Sequence, residues 1–262
     1  MYDKKKSVLV TGATNGTGYA IAKRFAREGY DVFITSRHGD SAQEAAKKLE
    51  GELAGTKVFG LELPVAGEDV VISVFDKIRA LGYLLDTVVL NAANLGIGQS
   101  PLTVSVKDFS EVINTNIIWN FTIARTAALM MKEKGMGAIV FINSNTAYRA
   151  IPDRCGYCAS KAGVLGLSRA LALDLGKYGI RSNAVLPGMI KTERFSENRN
   201  NIQHAMSAYT PIGDVAEFDD IANAAYFLGS DQSRNVTGTE LVVDGGNMCQ
   251  LYPILPHGYT VD

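Results

Sequence analysis

Ten residues past the middle of the chain, RCGYCASKAG from Arg154 to Gly163, carry two pairs of side chains able to do chemistry. Cys155 and Cys158 stand in C-x-x-C spacing, which suits a redox dithiol near a strand–helix junction or half of a metal site. Tyr157 and Lys161 lie one helical turn apart, so on a helix they share a face. An ammonium beside a phenol favours phenolate and lowers its pKa from about 10. A tyrosine so placed can act as acid toward a developing alkoxide or as base toward an alcohol. Spacing alone does not choose between the pairs, because surface helices often hold Y-x-x-x-K by chance. Cys249 is the remaining cysteine and four metal ligands cannot be named, so no metal site is expected. The two thiols then read as small, partly buried neighbours of the site.

Two further features add weight to the phenol. Ser144 follows AIVFIN, Ala138 to Asn143, a continuous apolar run that reads as an inner strand. The carboxyl end of such a strand is where α/β sheets place ligands. A hydroxyl there can hold a substrate oxygen beside Tyr157, or simply cap a turn. The second feature is TGATNGTG, Thr11 to Gly18, which follows the first strand and opens a helix. Gly12, Gly16 and Gly18 give G-x-x-x-G-x-G rather than G-x-G-x-x-G. Glycines permit a tight turn, and the backbone N–H groups at a helix N-terminus receive a pyrophosphate. A Walker A loop is excluded, because no G-K-[S/T] closes the turn. An ordinary glycine-rich connection is the alternative.

The end of the second strand bears on which dinucleotide would bind. An acidic residue there would take the adenosine ribose hydroxyls of NAD. The sequence instead reads TSRH, where Arg37 can pair with a 2′-phosphate and Ser36 can donate a hydrogen bond. This favours NADP(H) over NAD(H). Against it, Asn15 is uncharged where a second cation would help, and Arg37 can be a solvated side chain.

Strands and helices alternate around these residues. SVLVT, DVFITS, KVFGLEL, DTVVLNAAN, AIVFIN, IRSNAVLPG and TELVVDGG read as strands, the last three of these ending in polar or turn residues. Helical patterns cover Tyr19 to Gly29, with Ile21, Phe25 and Ala26 apolar and Gly29 as C-cap, then SAQEAAKKLEGEL, Glu68 to Leu81, Phe109 to Lys134, Tyr157 to Tyr178 and Glu217 to Gly229. Near-continuous apolar strands between helices predict an α/β class fold, a Rossmann-like doubly wound parallel sheet with helices on both faces. No linker divides the chain, so residues 1–262 are expected to form a single NAD(P)-binding catalytic domain. The polar, weakly periodic stretch 189–215 reads as a substrate lid or a surface insertion. The apolar tail 247–262 covers a neighbour's active-site mouth or packs on its own subunit.

A net charge of -1 provides no field to gather a nucleic-acid backbone. The apolar run Val8 to Val10 is too short for a signal-peptide core, and no stretch is long enough for a transmembrane helix. A soluble cytoplasmic protein without nucleic-acid or membrane partners is the expectation.

Taken together these pieces resemble the short-chain dehydrogenase/reductase family, ketoreductase-like members in particular, over nearly the whole chain. TGATNGTG resembles the family's TGxxxGxG turn, and NAA, Asn91 to Ala93, its NAG stretch beneath the cofactor. Asn116 in INTNI, Ser144, and Tyr157 with Lys161 in YCASK match the family's Asn-Ser-Tyr-Lys tetrad, with the usual 13 residues from Ser144 to Tyr157. PGMIKT, Pro187 to Thr192, resembles the segment around nicotinamide, and VDGG the segment after the last strand. Three positions depart from the pattern: Ala93 in place of glycine, Glu62 in place of an aspartate against adenine, and Asp214 where ketoacyl reductases often have arginine.

The resemblance implies an NADP(H)-dependent oxidoreductase that interconverts a carbonyl and a secondary alcohol by hydride transfer. Ser144 would orient the substrate oxygen, Tyr157 would be the acid–base group, Lys161 would support the phenolate and contact the nicotinamide ribose, and Asn116 would hold a relay water. Thr14, Asn15 and Thr17 would surround the pyrophosphate and adenosine ribose. Asn91, Ala92 and Ala93 would lie beneath the cofactor, the backbone after Pro187, through Gly188 and Ile190, would line the nicotinamide, and Thr192 would meet the carboxamide or the phosphates or simply cap a turn. Asn94, Leu95, Asn145, Tyr148, Pro152, Met189, Phe195 and Tyr209 are candidate substrate contacts, and Arg149 or Arg154 could attract an acidic group. The resemblance also implies a homotetramer. Two other readings remain: an NAD-dependent alcohol or sugar dehydrogenase, and a non-catalytic NADP(H)-sensing or scaffold protein. The YCASK spacing and the Ser144 placement argue against an enoyl reductase.

Overall fold

The computed structural model describes residues 5–53, 55–192, 206–207 and 209–251. Seven strands form one parallel sheet: β1 (Ser7–Val10), β2 (Asp31–Ser36), β3 (Val58–Glu62), β4 (Thr87–Leu90), β5 (Gly137–Ile142), β6 (Ile180–Pro187) and β7 (Glu240–Val243). Their order is β3-β2-β1-β4-β5-β6-β7. The chain therefore starts mid-sheet, builds to one edge, and returns beside β1 to build the other. The crevice at the carboxyl ends of β1 and β4, where the order reverses, is where such sheets bind ligands.

Both sheet faces are apolar because both are covered. Val8, Val10, Val32, Ile34, Val89, Val140 and Val185 point to one side. There they meet helices α1 (Gly16–Arg27), α2 (Gly39–Glu52) and α7 (Phe218–Gly229). Leu9, Phe33, Val88, Leu90, Ile139, Phe141 and Leu186 point to the other, against α3 (Glu68–Ala80), α5 (Asn120–Lys134) and α6 (Cys155–Leu175). The period-two alternation of strand side chains thus feeds two cores rather than one core and solvent. Gly29 turns the chain out of α1 with φ +84, as its C-cap reading required.

The expected single helix from Phe109 to Lys134 is in fact two helices with a joint. Helix α4 (Val106–Ile113) begins three residues early because Ser105 Oγ accepts a hydrogen bond from Asp108 N at 3.0 Å. The chain then widens into a π-helical turn, Asn114–Trp119, before α5. Helix α6 starts at Cys155, not Tyr157, and ends at Leu175 in a tight turn through Tyr178. No helix among the described residues is long and apolar enough to cross a membrane.

Candidate active site

The glycine turn rests on backbone conformation at two of its glycines and on close packing at the third. Gly12 and Gly16 adopt φ +60 and +52, a region that suits glycine. A Cβ on Gly18 would lie 2.4 Å from Gly12 O and 2.6 Å from Asn91 Nδ2. Asn91 is the tether: its Nδ2 donates to the carbonyls of Thr11 and Gly12, both at 3.0 Å. Thr11 Oγ1 accepts from the N–H groups of Asn91 and Ala92 at 2.9 and 3.0 Å. The NAA stretch after β4 is therefore fastened to the turn after β1. Thr11 was not singled out from the sequence, although it opens the motif.

Two adjoining clefts follow this seam. One, of about 880 Å³, is lined by Gly12, Thr14, Asn15, Ser36, Arg37, Leu63, Pro64, Val65, Asn91 through Leu95, Thr115 and Trp119. The other, of about 500 Å³, is lined by Gly12, Asn15 through Gly18, Asn91, Thr192 and Phe218. A dinucleotide fits this groove: glycine backbone lies at its floor, the N-terminus of α1 opens into it, and among the described residues no acidic side chain lines it near Arg37. Arg37 is exposed at its rim, and Ser36 Oγ accepts a long bond from His38 N at 3.4 Å. Glu62 ends β3 with its carboxylate against Gly39 at the start of α2, and is not among the residues lining the cleft. Phe218, at the start of α7, was also unanticipated: its ring carbons come within 3.6 Å of where a Gly16 Cβ would stand.

Three residues of the proposed tetrad converge past the end of β5. Ser144 is buried, caps the turn Asn145–Ala147 by accepting from Thr146 N at 3.1 Å, and lies beside the Tyr157 phenol. Tyr157 is half-buried on the first turn of α6. Lys161, 4% exposed, has its Nζ 5.5 Å from the Tyr157 ring centroid and donates to Ile142 O at 2.9 Å. Asn143 Nδ2 donates to Lys161 O at 3.0 Å, so strand β5 and helix α6 are stitched in both directions.

Asn116 reaches the same helix through a neighbour. It lies in the π-helical turn, buried to 1% exposure. Its Oδ1 accepts from Asn94 N at 2.7 Å, and its Nδ2 donates to Asn94 O and to Ser160 Oγ, both at 2.9 Å. Ser160 Oγ in turn donates to Tyr157 O at 2.7 Å. The small serine of YCASK is thus a link between Asn116 and the backbone of the phenol, a role its type alone does not announce. The carbonyl of Asn116 accepts from Asn120 Nδ2 at 2.9 Å.

One expectation about charge is corrected. The Tyr157 phenol is pushed up, not down, from its ordinary value: burial is the leading cause, with hydrogen bonding to Ser144 and the charge of Arg154 acting the other way. Lys161 does not hold a phenolate here because it lies over the ring and is itself stripped of water. Burial pulls its ammonium down to about 8.

The candidate substrate contacts divide. Asn94 and Leu95 line the larger cleft. Tyr148 is exposed and bonded to Glu240 on β7, which also pairs with Arg169 of α6. Arg149 Nη2 donates to Met248 O at 2.7 Å and Gln250 O at 3.0 Å, which ties its guanidinium to the tail. Arg154 Nη1 donates to Leu95 O at 3.0 Å. Pro187 closes β6, and Gly188 packs on Asp244, whose Cβ is 2.6 Å from a Gly188 Cβ position. Phe195, much of the 189–215 stretch and the tail beyond Leu251 lie outside the described residues. The ends of that stretch are tied: Ile190 pairs with Ala216, and Lys191 Nζ donates to Asp214 at 2.6 Å and Glu217 at 2.8 Å. Gln250 Nε2 reaches Tyr209 O at 2.9 Å, linking the tail to the same stretch.

Known proteins resemble the chain throughout this architecture. A family model described as enoyl-(acyl carrier protein) reductase matches residues 12–247. A 3-oxoacyl-(acyl-carrier-protein) reductase of Chlamydia trachomatis is 35% identical over 243 residues, 92% of this chain and 96% of the relative. A 3alpha-hydroxysteroid dehydrogenase of Mediterraneibacter gnavus is 33% identical over 92% of this chain and 96% of its own length. The crystal structure of a putative gluconate dehydrogenase from Agrobacterium tumefaciens superposes with TM-score 0.88 at 28% identity, covering 95% of this chain and 99% of that one. The chain belongs to the short-chain dehydrogenase/reductase family, oxidoreductases that bind a nicotinamide cofactor.

Proposed function

We propose that the protein is an NADP(H)-dependent oxidoreductase interconverting a carbonyl and a secondary alcohol, with Tyr157 as its acid–base group. The observation that carries this is the meeting of the Tyr157 phenol, the Ser144 hydroxyl and the Lys161 side chain at the carboxyl end of β5. A nicotinamide held in the groove would supply or accept the hydride. Ser144 donates a hydrogen bond to the substrate oxygen, where charge grows during reduction. Tyr157, protonated at neutral pH because burial raises it, gives that oxygen its proton. In this reading Lys161, now bonded to Ile142 O, would exchange that carbonyl for the phenol and the ribose hydroxyls. Asn116, through Ser160, holds the helix turn on which Tyr157 rides, and would hold a water of the proton relay.

Gly12, Thr14, Asn15, Gly16, Thr17 and Gly18 take the pyrophosphate and adenosine ribose. Asn91, Ala92, Ala93, Pro187, Gly188, Ile190 and Thr192 take the nicotinamide side. Residues 189–215 act as the lid of a single catalytic domain. The named relatives act on 3-oxoacyl, steroid and gluconate compounds, so a panel of those three carbonyl classes is the first substrate screen.

Arg37 is the 2′-phosphate ligand in this reading. A charge-assisted contact contributes about 1.5–3 kcal/mol, so Arg37→Ala should weaken NADPH binding about 10- to 100-fold and leave NADH unchanged. Trp119, which lines the cleft, serves as the energy-transfer donor in both titrations. Tight NADH binding with weak NADPH binding in the unaltered protein would overturn the assignment and favour an NAD-dependent alcohol or sugar dehydrogenase.

The active form is a homotetramer. Ile118, Phe121 and Leu129 on the α4–α5 side and Leu173 on α6 are exposed in the single chain, where partner helices would bury them. Light scattering should give four times the chain mass. A monomer at micromolar concentration would reject this.

A further inference from the structure

The C-x-x-C pair that the reaction leaves unused brackets its central residue. Cys155 is the first residue of α6, Cys158 stands one turn on, and Tyr157 lies between them. Both thiols are free and half-buried, so a small oxidant can reach them. We propose that Cys155 and Cys158 form a modification site, closing to an intramolecular disulfide under peroxide and thereby displacing Tyr157. The consequence for turnover rests on Tyr157 being the acid–base group.

The geometry makes closure feasible and disruptive. Neighbouring helix turns hold Cβ atoms about 5–6 Å apart, whereas a disulfide needs about 3.5–4.5 Å. The first turn must therefore tighten by roughly 1–2 Å. It has freedom at the Cys155 end, because the first N–H groups of a helix lack intrahelical partners, whereas the Cys158 N–H is held by Arg154 O at 2.9 Å. The Cys155 N–H makes only a long bond, 3.4 Å, to Gln99 O. Gln99 packs close on the inner side of the turn, its Oε1 2.5 Å from where a Cβ on Gly156 would stand. The tightening carries Tyr157, the residue next to Cys158, whose phenol must meet Ser144. A displacement of about 1 Å at a reacting group can cost on the order of 10²-fold in rate.

The chemistry balances with a peroxide as oxidant. One thiolate attacks a peroxide oxygen, breaking the O–O bond and giving a sulfenic acid and water. The second thiol displaces that hydroxyl as water and forms the S–S bond. The two thiols lose two electrons in total, and hydrogen peroxide gains two and leaves as two waters. A disulfide strained by its helix is readily reduced by a dithiol, which makes the change reversible.

The test treats the full chain with hydrogen peroxide, alkylates the remaining thiols, and maps the peptide spanning residues 155–158 by mass. The expected peptide lacks two hydrogens and takes no alkyl group, while the exposed Cys249 serves as the reference thiol. Turnover of NADPH with a carbonyl from the screen should fall at least 10-fold and return with dithiothreitol. The double variant Cys155→Ser with Cys158→Ser should keep its turnover in peroxide. Amide exchange across residues 155–161, read with no substrate present, should differ between oxidised and reduced protein. Separate alkylation of both cysteines would overturn the proposal, as would a disulfide that leaves amide exchange unchanged. Failure of the reduced protein to turn over any carbonyl would count against the oxidoreductase reading, and the mass map and exchange would still decide the disulfide.

Discussion

Replacing Tyr157 with Phe should lower turnover about 10²- to 10⁴-fold and leave NADPH affinity unchanged. The substitution removes one hydroxyl and keeps the ring beside Lys161. It leaves intact the groove from Gly12 to Thr192 that would take the cofactor. The direction of the phenol's shift gives a second signature. Burial raises it, so it is protonated at neutral pH and ready to act as an acid. Reduction should then hold constant with rising pH and fall only as the phenol ionises. Oxidation, which needs the phenolate, should climb over the same range. Steady-state rates in both directions, with cofactor titration of the variant, test this. An equal loss of binding and turnover would point to a damaged fold instead of a missing acid.

The second large effect is on stability. Lys161 is fully inside, and burial lowers its ammonium from 10.5 to about 8. At pH 7 the folded protein therefore carries a charge it would hold more easily unfolded. Below pH 8 both states are protonated and the penalty is whole. Between about 8 and 10.5 the unfolded chain binds more protons, so stability rises with pH through that window. The difference corresponds to about 3 kcal/mol, at about 1.4 kcal/mol per pKa unit. Lys161→Met should thus abolish turnover, stabilise the fold at pH 7 by about 1–3 kcal/mol, and flatten the rise at alkaline pH. Urea unfolding of both proteins at pH 7 and pH 10 measures this. Parallel pH profiles for the two would exclude Lys161 as the source.

Much of the architecture could be read from residue patterns because strands such as AIVFIN and SVLVT are apolar on both faces, which only a doubly covered sheet allows. The glycine turn was legible for a similar reason: at Gly18 nothing larger fits. The break at Asn114 was not, since no Pro or Gly marks it and the helical period runs on through INTNI. The state of Lys161 was also hidden. Spacing places it on the same face as Tyr157, but burial is a property of the folded chain. Arg149 illustrates a third limit. Its partners are backbone carbonyls about a hundred residues away, and a backbone acceptor leaves no mark in side-chain types. Ser160 was overlooked because a small residue within YCASK reads as spacing, yet its hydroxyl connects Asn116 to Tyr157.

The widened turn at Asn114–Trp119 has a bearing on how this chain can vary. A π-helical turn holds one residue more than the α-helix it interrupts, and one residue is about 100° of rotation. Before the joint, α4 buries Val112; after it, α5 turns Ile123, Ala124, Ala127 and Met131 to the sheet. The extra residue sets the phase between those two faces and fixes where Asn116 points. Gaining or losing a residue here would rotate α5 about its axis, carrying Phe121 and Leu129 inward and alanines out to solvent. Register along this helix is thus as constrained as register within a strand, and length changes are confined to the loops on either side.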